Sequence, residues 1–304
     1  MVALIAAGIW WAVASKSSSA LDGPPESVLG NNTRMGSVEL ITDDLGPMKS
    51  FYVDAVGLEV LAESADRLSL GSGGEEVLGI KLAGAHPADV PTEAGLYHSA
   101  ILYPNEQSLA EVLQNIAFQA PTSFTGSADH AVSLAFYFSD PDGNGLELYT
   151  DTPEESWVWN NGLVEMGAAP LDPNAFMQEH LGAETTDLAP TMGHVHLRVG
   201  DLEVARAFYA NTLGFAVTAE SQGALFYAAG GYHHHIATNT WNSAGAGERP
   251  ESLGLGGLTV HVGSDEELAA VADRLTSAGT VFDQAAGVLT VNDPWGNTVR
   301  LLAN

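Results

Sequence analysis

The residues of this sequence that could do chemistry are histidines and carboxylates. There are ten histidines and thirty-eight Asp or Glu residues, and there is no cysteine. A metal ion in this protein would therefore be held by nitrogen and oxygen ligands. The same lack of cysteine excludes disulfide scaffolds, zinc ribbons and thiol nucleophiles. Three histidines are consecutive, His233, His234 and His235. On a strand, alternation would put His233 and His235 on one face and His234 on the other.

The net charge argues against one class of partner. Ten Lys or Arg residues against thirty-eight Asp or Glu give a formal charge of −28. Such a chain repels phosphate backbones and anionic membrane surfaces, so we expect no nucleic-acid partner. The composition is that of a globular protein, with 304 residues of which 45% are hydrophobic. This length suits one large domain or two ordinary ones.

Two irregular stretches divide the chain. Residues 1–32 hold an apolar run, too short to span a bilayer, and then a linker rich in Gly, Pro, Ser and Asn. A secretory signal and a weak anchor are alternatives for this run, and we expect a cytoplasmic protein. Residues 152–191 contain several prolines and form a second linker, in which a short helix is predicted at 174–180. The remaining blocks are 33–151 and 192–304.

The two blocks contain the same internal repeat. An Asp at a helix start, an aromatic pair and a Gly recur at a constant offset of 157 residues. The pairs are Asp44 and Asp201, Phe51-Tyr52 and Phe208-Tyr209, and Gly57 and Gly214. In each copy an alternating strand comes before the Asp, and the helix ends near the Gly. The pattern predicts a strand, a helix and then further strands.

A second kind of unit follows each of these copies. It has a first strand starting at Gly95 or Gly254, a helix, and a closing Asp-Pro-x-Gly-Asn turn at 140–144 or 293–297. The proline fixes φ, and the Gly and Asn accept the positive φ that such turns need. The sequence therefore predicts four βαβββ modules. Modules one and two lie in 33–151, and modules three and four lie in 192–304.

The modules resemble the vicinal oxygen chelate superfamily, which contains glyoxalase I, bleomycin-resistance proteins and extradiol dioxygenases. The segments that carry the resemblance are GHVHLRVGDLEVARAFY and DPDGNGLELY. The segments GLYHSAILYP, SADHAVSLAFYFSDPDGNGLELY and GGYHHHIATNTW resemble, more narrowly, the catechol 2,3-dioxygenase branch. The resemblance covers residues 34–304. It implies an α+β fold in which the modules pair into two half-barrel domains.

The resemblance also implies a ligand set, because metal ligands in this superfamily stand on the first and last strands of a module. His98 and Glu147 occupy these places in module two, and His194 occupies the first strand of module three. The corresponding positions in modules one and four hold Ser37, Gly257 and Arg300, which would make those modules a structural half. Two histidines and one carboxylate form the facial triad of non-haem Fe(II) enzymes, with Mn(II) as an alternative metal. His196 shares a strand face with His194, which we prefer because it follows the Gly of the Gly-His pattern.

The same resemblance assigns roles to the His run and to residues near it. His234 would be the base that takes a proton from the substrate hydroxyl. His233 and His235 would contact substrate, although the register leaves the base open among the three, and a surface cluster is the alternative. Tyr137 would form a hydrogen bond with the substrate oxygen, and a core aromatic is the alternative. His130 would lie near the mouth of the pocket. Asn239 and Trp241 would line the pocket, although Trp241 could equally serve packing.

The implied function is insertion of O₂ into a small aromatic diol by an Fe(II)-dependent extradiol dioxygenase. A hydroquinone-cleaving dioxygenase is the nearest alternative. A glyoxalase-like lyase or isomerase is less favoured, because that chemistry usually needs a second carboxylate where this chain has its His run. A non-catalytic protein that binds an aromatic compound or a drug is the alternative outside enzymes. We also expect a homo-oligomer.

Overall fold

The computed structural model describes residues 23–84, 86–182 and 188–304. The apolar run predicted within residues 1–32 lies outside the described residues, which begin at residue 23. Within the described ranges, no helix is long and apolar enough to cross a membrane.

Each predicted module is a strand, a helix and three further strands. Module one comprises β1 (Arg34–Thr42), α1 (Leu45–Lys49) with a π-helical continuation (Ser50–Ala55), β2 (Glu59–Glu63), β3 (Arg67–Ser72) and β4 (Glu75–Leu82). Module two comprises β5 (Gly95–Leu102), α2 (Glu106–Gln119), β6 (Phe124–Asp129), β7 (Ser133–Ser139) and β8 (Gly145–Asp151). The stretch after it contains a 3-10 turn (Glu154–Ser156), β9 (Trp159–Asn160), β10 (Leu163–Val164) and α3 (Pro173–His180).

The second half of the chain repeats this order. Module three comprises β11 (Thr191–Arg198), α4 (Leu202–Arg206) with a π-helical continuation (Ala207–Leu213), β12 (Ala216–Ser221), β13 (Ala224–Ala228) and β14 (Ile236–Asn239). Module four comprises β15 (Gly254–Val262), α5 (Asp265–Ser277), β16 (Phe282–Ala285), β17 (Val288–Asn292) and β18 (Thr298–Ala303). The linker helix α3 lies where the sequence predicts one.

Sixteen of the described strands form two curled eight-stranded sheets that each join two modules, and β9 pairs only with β10. The first has the order β16-β17-β18-β15-β1-β4-β3-β2, and the second has the order β12-β13-β14-β11-β5-β8-β7-β6. Modules one and four therefore share one sheet, and modules two and three share the other. The predicted fold class, four βαβββ modules paired into two half-barrels, is confirmed. The blocks 33–151 and 192–304 do not correspond to separate sheets, since each contributes to both.

The repeated motifs connect one sheet to the other. Tyr52, from the aromatic pair after α1, donates a hydrogen bond of 3.0 Å to Asp140 in the turn of module two. Tyr209 donates one of 2.8 Å to Asp293 in the turn of module four. All four side chains are buried. The Asp-Pro-x-Gly-Asn turn and the helix aromatic are therefore two halves of one contact, which explains why they recur together.

Strand alternation separates the core from the concave face of the second sheet. On β11, Val195 and Leu197 are fully buried in the main hydrophobic core. His194 precedes Val195, and His196 lies between Val195 and Leu197. Both histidines line a cavity on the opposite face. Apolar residues at every second position thus fix the strand, and the positions between them are free to carry chemistry.

Candidate functional site

A cavity of about 750 Å³ lies in the concave face of the second sheet. Much of its wall is aromatic or aliphatic, and part of that wall comes from the linker after β8. The apolar lining residues are Tyr97, Val132, Phe138, Val164, Met166, Phe226 and Trp241. The polar ones include His98, His130, Tyr137, Glu147, His194, His196, Arg198 and His234. A pocket of this size, with few polar groups that converge on one point, is typical of a small-molecule site.

Three adjacent strands bring the predicted ligands together. In the register of the sheet, Ala100 on β5 lies opposite Glu147 on β8 and also opposite His194 on β11. His98 stands two residues before Ala100, hence on the same face. The Nε2 atoms of His98 and His194 lie 3.1 and 3.3 Å from the same oxygen, Oε2 of Glu147. One ligand atom from each of the three side chains lies within 4.8 Å of the other two.

Burial sets the charge of this group. Burial alone would raise the pKa of Glu147, but the contacts with His194 and His98 hold that pKa well below its ordinary value. Burial lowers the pKa of His194 to about 4, although Glu147 acts in the opposite direction. At neutral pH the arrangement is therefore an ionised carboxylate beside a neutral imidazole, which is the protonation state that a metal ligand needs.

The hydrogen bonding of the group fits a cation. His98 Nε2 is buried and makes no hydrogen bond of acceptable geometry, although it lies 3.1 Å from Glu147 Oε2. Buried polar atoms are rarely left unpaired, and a cation between the two imidazoles and the carboxylate would satisfy the inward-facing lone pairs. Two nitrogens and a carboxylate suit a divalent first-row metal.

The first sheet has no equivalent arrangement at the corresponding positions. Arg300 stands where β8 has Glu147, and its guanidinium lies 3.5 Å from Glu39. A side chain at Gly257, the counterpart of His98, would begin 2.5 Å from that guanidinium. The space that holds the three ligand-type residues in the second sheet is filled here by an ion pair. Modules one and four therefore lack the donor set, in agreement with the sequence.

The His run is placed differently from the prediction. The sequence put it in the last strand of module three, but β14 begins only at Ile236, directly after it. His234 lines the cavity, and its ring centroid lies 4.1 Å from that of His194. His233 and His235 are buried and do not line the cavity, and their contact with substrate stays a prediction. The backbone before β14 is irregular, and one ring of the three reaches the cavity.

His234 is a buried imidazole that stays neutral at neutral pH. Burial and then the neighbouring histidines, above all His194, lower its pKa well below the ordinary value. Its Nδ1 lies 2.7 Å from Nδ1 of His233. Since Nδ1 is used in this contact, Nε2 is the nitrogen of His234 that can contact a molecule in the cavity.

Tyr137 and His130 form a pair at the other wall. The Tyr137 hydroxyl lies 2.6 Å from His130 Nε2, and His130 Nδ1 lies 2.5 Å from the carbonyl oxygen of Gly167. Because a carbonyl only accepts, Nδ1 of His130 carries a hydrogen, and in the tautomer with no hydrogen on Nε2 the ring accepts from Tyr137 there. Burial and the nearby Glu147 raise the pKa of Tyr137 well above its ordinary value, which keeps the hydroxyl protonated. Both residues line the cavity.

Trp241 lines the cavity, whereas Asn239 does not. Asn239 is buried behind the wall, where its side-chain amide lies 3.0 Å from His196 Nε2. It holds the ring of His196 and does not line the cavity, and its contact with substrate stays a prediction. Trp241 lines the cavity with 47% of its surface exposed, and its ring packs 5.2 Å from that of Tyr97.

Sequence reasoning missed several residues of this site. Tyr97 and Phe226 line the cavity, and Val164 and Met166 reach it from the linker. Strand alternation could have found Tyr149 and Asp151, which follow Glu147 at every second position of β8. No local pattern identifies the linker residues, because only the tertiary fold brings them to the cavity.

The burial of His235 predicts how stability depends on pH. Burial lowers the pKa of His235 to about 3, against about 6.5 in the unfolded chain. Between these values the unfolded state binds the extra proton, so this residue lowers the free energy of unfolding as pH falls below about 6.5. We expect His235→Asn to reduce the slope of stability against pH by up to about 1.4 kcal/mol per pH unit near pH 5. Urea unfolding at pH 7 and pH 5 measures it, and an unchanged slope would contradict the assignment.

Proteins similar in sequence to this chain include two that are named as dioxygenases. The profile of the glyoxalase/bleomycin resistance protein/dioxygenase superfamily matches residues 34–148 and 191–301. A catechol-2,3-dioxygenase of Bacillus subtilis (strain 168) is 35% identical over 271 residues, covering 86% of this chain and 94% of that protein. The biphenyl-2,3-diol 1,2-dioxygenase 3 of Rhodococcus globerulus is 29% identical over 136 residues, covering 42% of this chain and 70% of that protein.

Solved structures share the fold at low sequence identity. A Bacillus subtilis structure superposes with a TM-score of 0.64 at 13% identity, covering 92% of this chain and 86% of the other. Glyoxalase I from Zea mays superposes with a TM-score of 0.54 at 18% identity, covering 89% and 92%. These likenesses concern the arrangement of the modules.

Proposed function

This chain belongs to the glyoxalase/bleomycin resistance protein/dioxygenase superfamily, and we propose that it is an extradiol ring-cleaving dioxygenase, which uses Fe(II) and O₂ to open a catechol-type ring. The observation that carries the proposal is the convergence of His98, Glu147 and His194 on one point of an aromatic-lined cavity. The relative named catechol-2,3-dioxygenase, at 35% identity over most of both chains, supports the same activity.

The three converging side chains would hold the metal ion. Each imidazole would bind through one nitrogen, and the single carboxylate would offset only one of the two charges of Fe(II). When bound, the metal would supply open coordination positions for the two substrate oxygens and O₂, and a positive centre that favours the catecholate. Mn(II) is the alternative for the same donor set. All three side chains are buried, so they would be held in place before the metal arrives.

His234 would take the proton that the substrate hydroxyl loses on binding. A general base must lie within reach of the group it deprotonates and must be neutral at the working pH. His234 meets both conditions, since its ring is 4.1 Å from that of His194 and burial keeps it neutral. The same imidazole could return that proton to an oxygen of the product as the substrate ring opens.

Tyr137 would orient the substrate oxygen on the opposite wall. Its hydroxyl is kept protonated by burial and is held by His130. On substrate binding the hydroxyl would exchange its hydrogen bond to His130 for one to the substrate oxygen, where a donor stabilises the negative charge that develops. Tyr97, Phe226 and Trp241 would pack on the ring and exclude water, which favours an aromatic diol with apolar substituents.

The test is turnover by the metal-loaded protein. Protein reconstituted with Fe(II) without oxygen, then given catechol and air, should form a yellow ring-opened product. Parallel assays with hydroquinone, and with Mn(II) or Zn(II), identify the substrate isomer and the metal. Metal binding without oxygen consumption on either diol would favour the glyoxalase-like or the non-catalytic alternative. A cytoplasmic location and a homo-oligomer remain predictions.

A further inference from the structure

A hydrogen-bonded chain runs from the carboxyl end of β8 to the cavity, and we propose that its carboxylate, Asp151, sets which nitrogen of His234 carries hydrogen. Nε2 of His233 lies 2.9 Å from Oδ1 of Asp151, and Nδ1 of His233 lies 2.7 Å from Nδ1 of His234. Only His234 of these three lines the cavity. Asp151 is thus a positioning residue, which acts on the cavity through His233.

The direction of each hydrogen bond follows from what the groups can do. An ionised carboxylate can only accept, so Nε2 of His233 carries a hydrogen. In a neutral imidazole the other nitrogen is then bare, so Nδ1 of His233 accepts. Nδ1 of His234 must therefore donate. In the neutral ring this leaves Nε2 of His234 without hydrogen, as an acceptor on the cavity side.

The chain is held rigidly at its start. The hydroxyl of Tyr232 donates to Asp151 at 3.0 Å, and it lies 2.8 Å from the hydroxyl of Tyr149. The ring of Trp157, from the linker after β8, packs 5.2 Å from that of His233. His233 itself has no exposed surface. A buried imidazole with two fixed partners has one tautomer available. The tautomer of His233 then determines which nitrogen of His234 carries hydrogen.

The inference rests on the proposed function in one respect, namely that the cavity receives a substrate hydroxyl. With Nε2 bare, His234 can accept the hydroxyl proton. If Asp151 were replaced by Asn, Tyr232 would donate to the amide oxygen and the amide nitrogen would face His233. The amide would then donate to Nε2 of His233, both rings would switch tautomers, and His234 would present an N–H to the cavity.

The tautomers can be observed directly by nitrogen-15 NMR of histidine-labelled, full-length protein loaded with diamagnetic Zn²⁺. In the unaltered protein we expect hydrogen on Nε2 of His233 and on Nδ1 of His234. Asp151→Asn should reverse both assignments. Asp283→Asn, on the exposed face of β16 in the other sheet, serves as the matched control and should leave both unchanged. Hydrogen on Nε2 of His234 in the unaltered protein, or an unchanged pattern in Asp151→Asn, would overturn the proposal.

Two further measurements complete the test. If Asp151→Asn does not fold, His233→Leu removes the ring between the carboxylate and His234 and should give a mixture of His234 tautomers, and a single unchanged tautomer there would overturn the proposal. In the Fe(II)-loaded protein Asp151→Asn should lower kcat for catechol by about 10²–10⁴-fold with little change in KM. Predicted tautomers in a protein that does not turn over any diol would contradict the proposed function and leave the positioning role intact.

Discussion

Replacement of Glu147 by glutamine is expected to abolish metal binding and turnover together. Glutamine keeps the shape of the side chain but removes the charge that two neutral imidazoles need beside them to hold a divalent cation. Loss of an outer partner of a ligand typically costs 10–100-fold in metal affinity, so loss of this carboxylate should cost about 100-fold or more. Fe(II) affinity by competition with a chelator, and catechol turnover, measure the two effects.

The first sheet offers a matched control for this variant. Glu39 is a half-buried carboxylate paired with Arg300, at the place where the second sheet has its ligand-type residues. Glu39→Gln makes the same chemical change and should leave metal affinity and turnover unaltered. If Glu147→Gln retained full metal binding and turnover, the metal centre would have to lie elsewhere.

Replacement of His234 by asparagine is expected to separate chemistry from metal binding. His234 is not one of the three converging ligand-type residues, so the affinity for Fe(II) should be retained. Without the neutral imidazole the substrate hydroxyl has no base at this wall, and kcat for catechol should fall by about 10²–10⁴-fold. Steady-state kinetics with metal analysis of the same sample measure both quantities.

His261 is the corresponding control for a histidine replacement. It lies on β15 in the first sheet, far from the cavity lining. His261→Asn should change neither kcat nor metal content. An unaltered kcat in His234→Asn would show that another group takes the proton, and the assignment of the base would then be wrong.

The modules and the converging ligand-type residues were predictable because both depend on local regularity. The offset of 157 residues places His194 against Ser37, and alternation puts His194 and Val195 on opposite faces of β11. The family resemblance then narrows the choice to residues at two strand positions. Periodicity of this kind is visible in a single sequence.

The resemblance implied that modules one and four form one half, but periodicity alone predicts neither which strands pair between modules nor the orientation of the His run. Antiparallel pairing of β1 with β15, and of β5 with β11, joins strands far apart in the chain, and hydrophobic periodicity does not encode such partners. The run before β14 is irregular, so the strand rule does not govern it. Asn239 was predicted to face substrate, but it turns to His196, whose buried nitrogen needs a hydrogen-bond donor.

The two sheets carry different side chains at corresponding positions. The first holds an Arg300–Glu39 pair, and a side chain at Gly257 would lie too close to that guanidinium, so these positions lack the donor set of the second sheet. The second has neutral histidines, one ionised carboxylate and aromatic walls. The net charge of −28 plays no part in this chemistry and is carried largely by exposed carboxylates.

The stoichiometry of oxygen uptake tests the central claim most directly. Protein loaded with Fe(II) and given a known, limiting amount of catechol in an oxygen-electrode cell should consume one O₂ for each ring opened, with no release of hydrogen peroxide. Ring-opened product should account for all the catechol consumed. Loss of catechol without uptake of O₂, or uptake that appears as peroxide with the ring intact, would contradict the account.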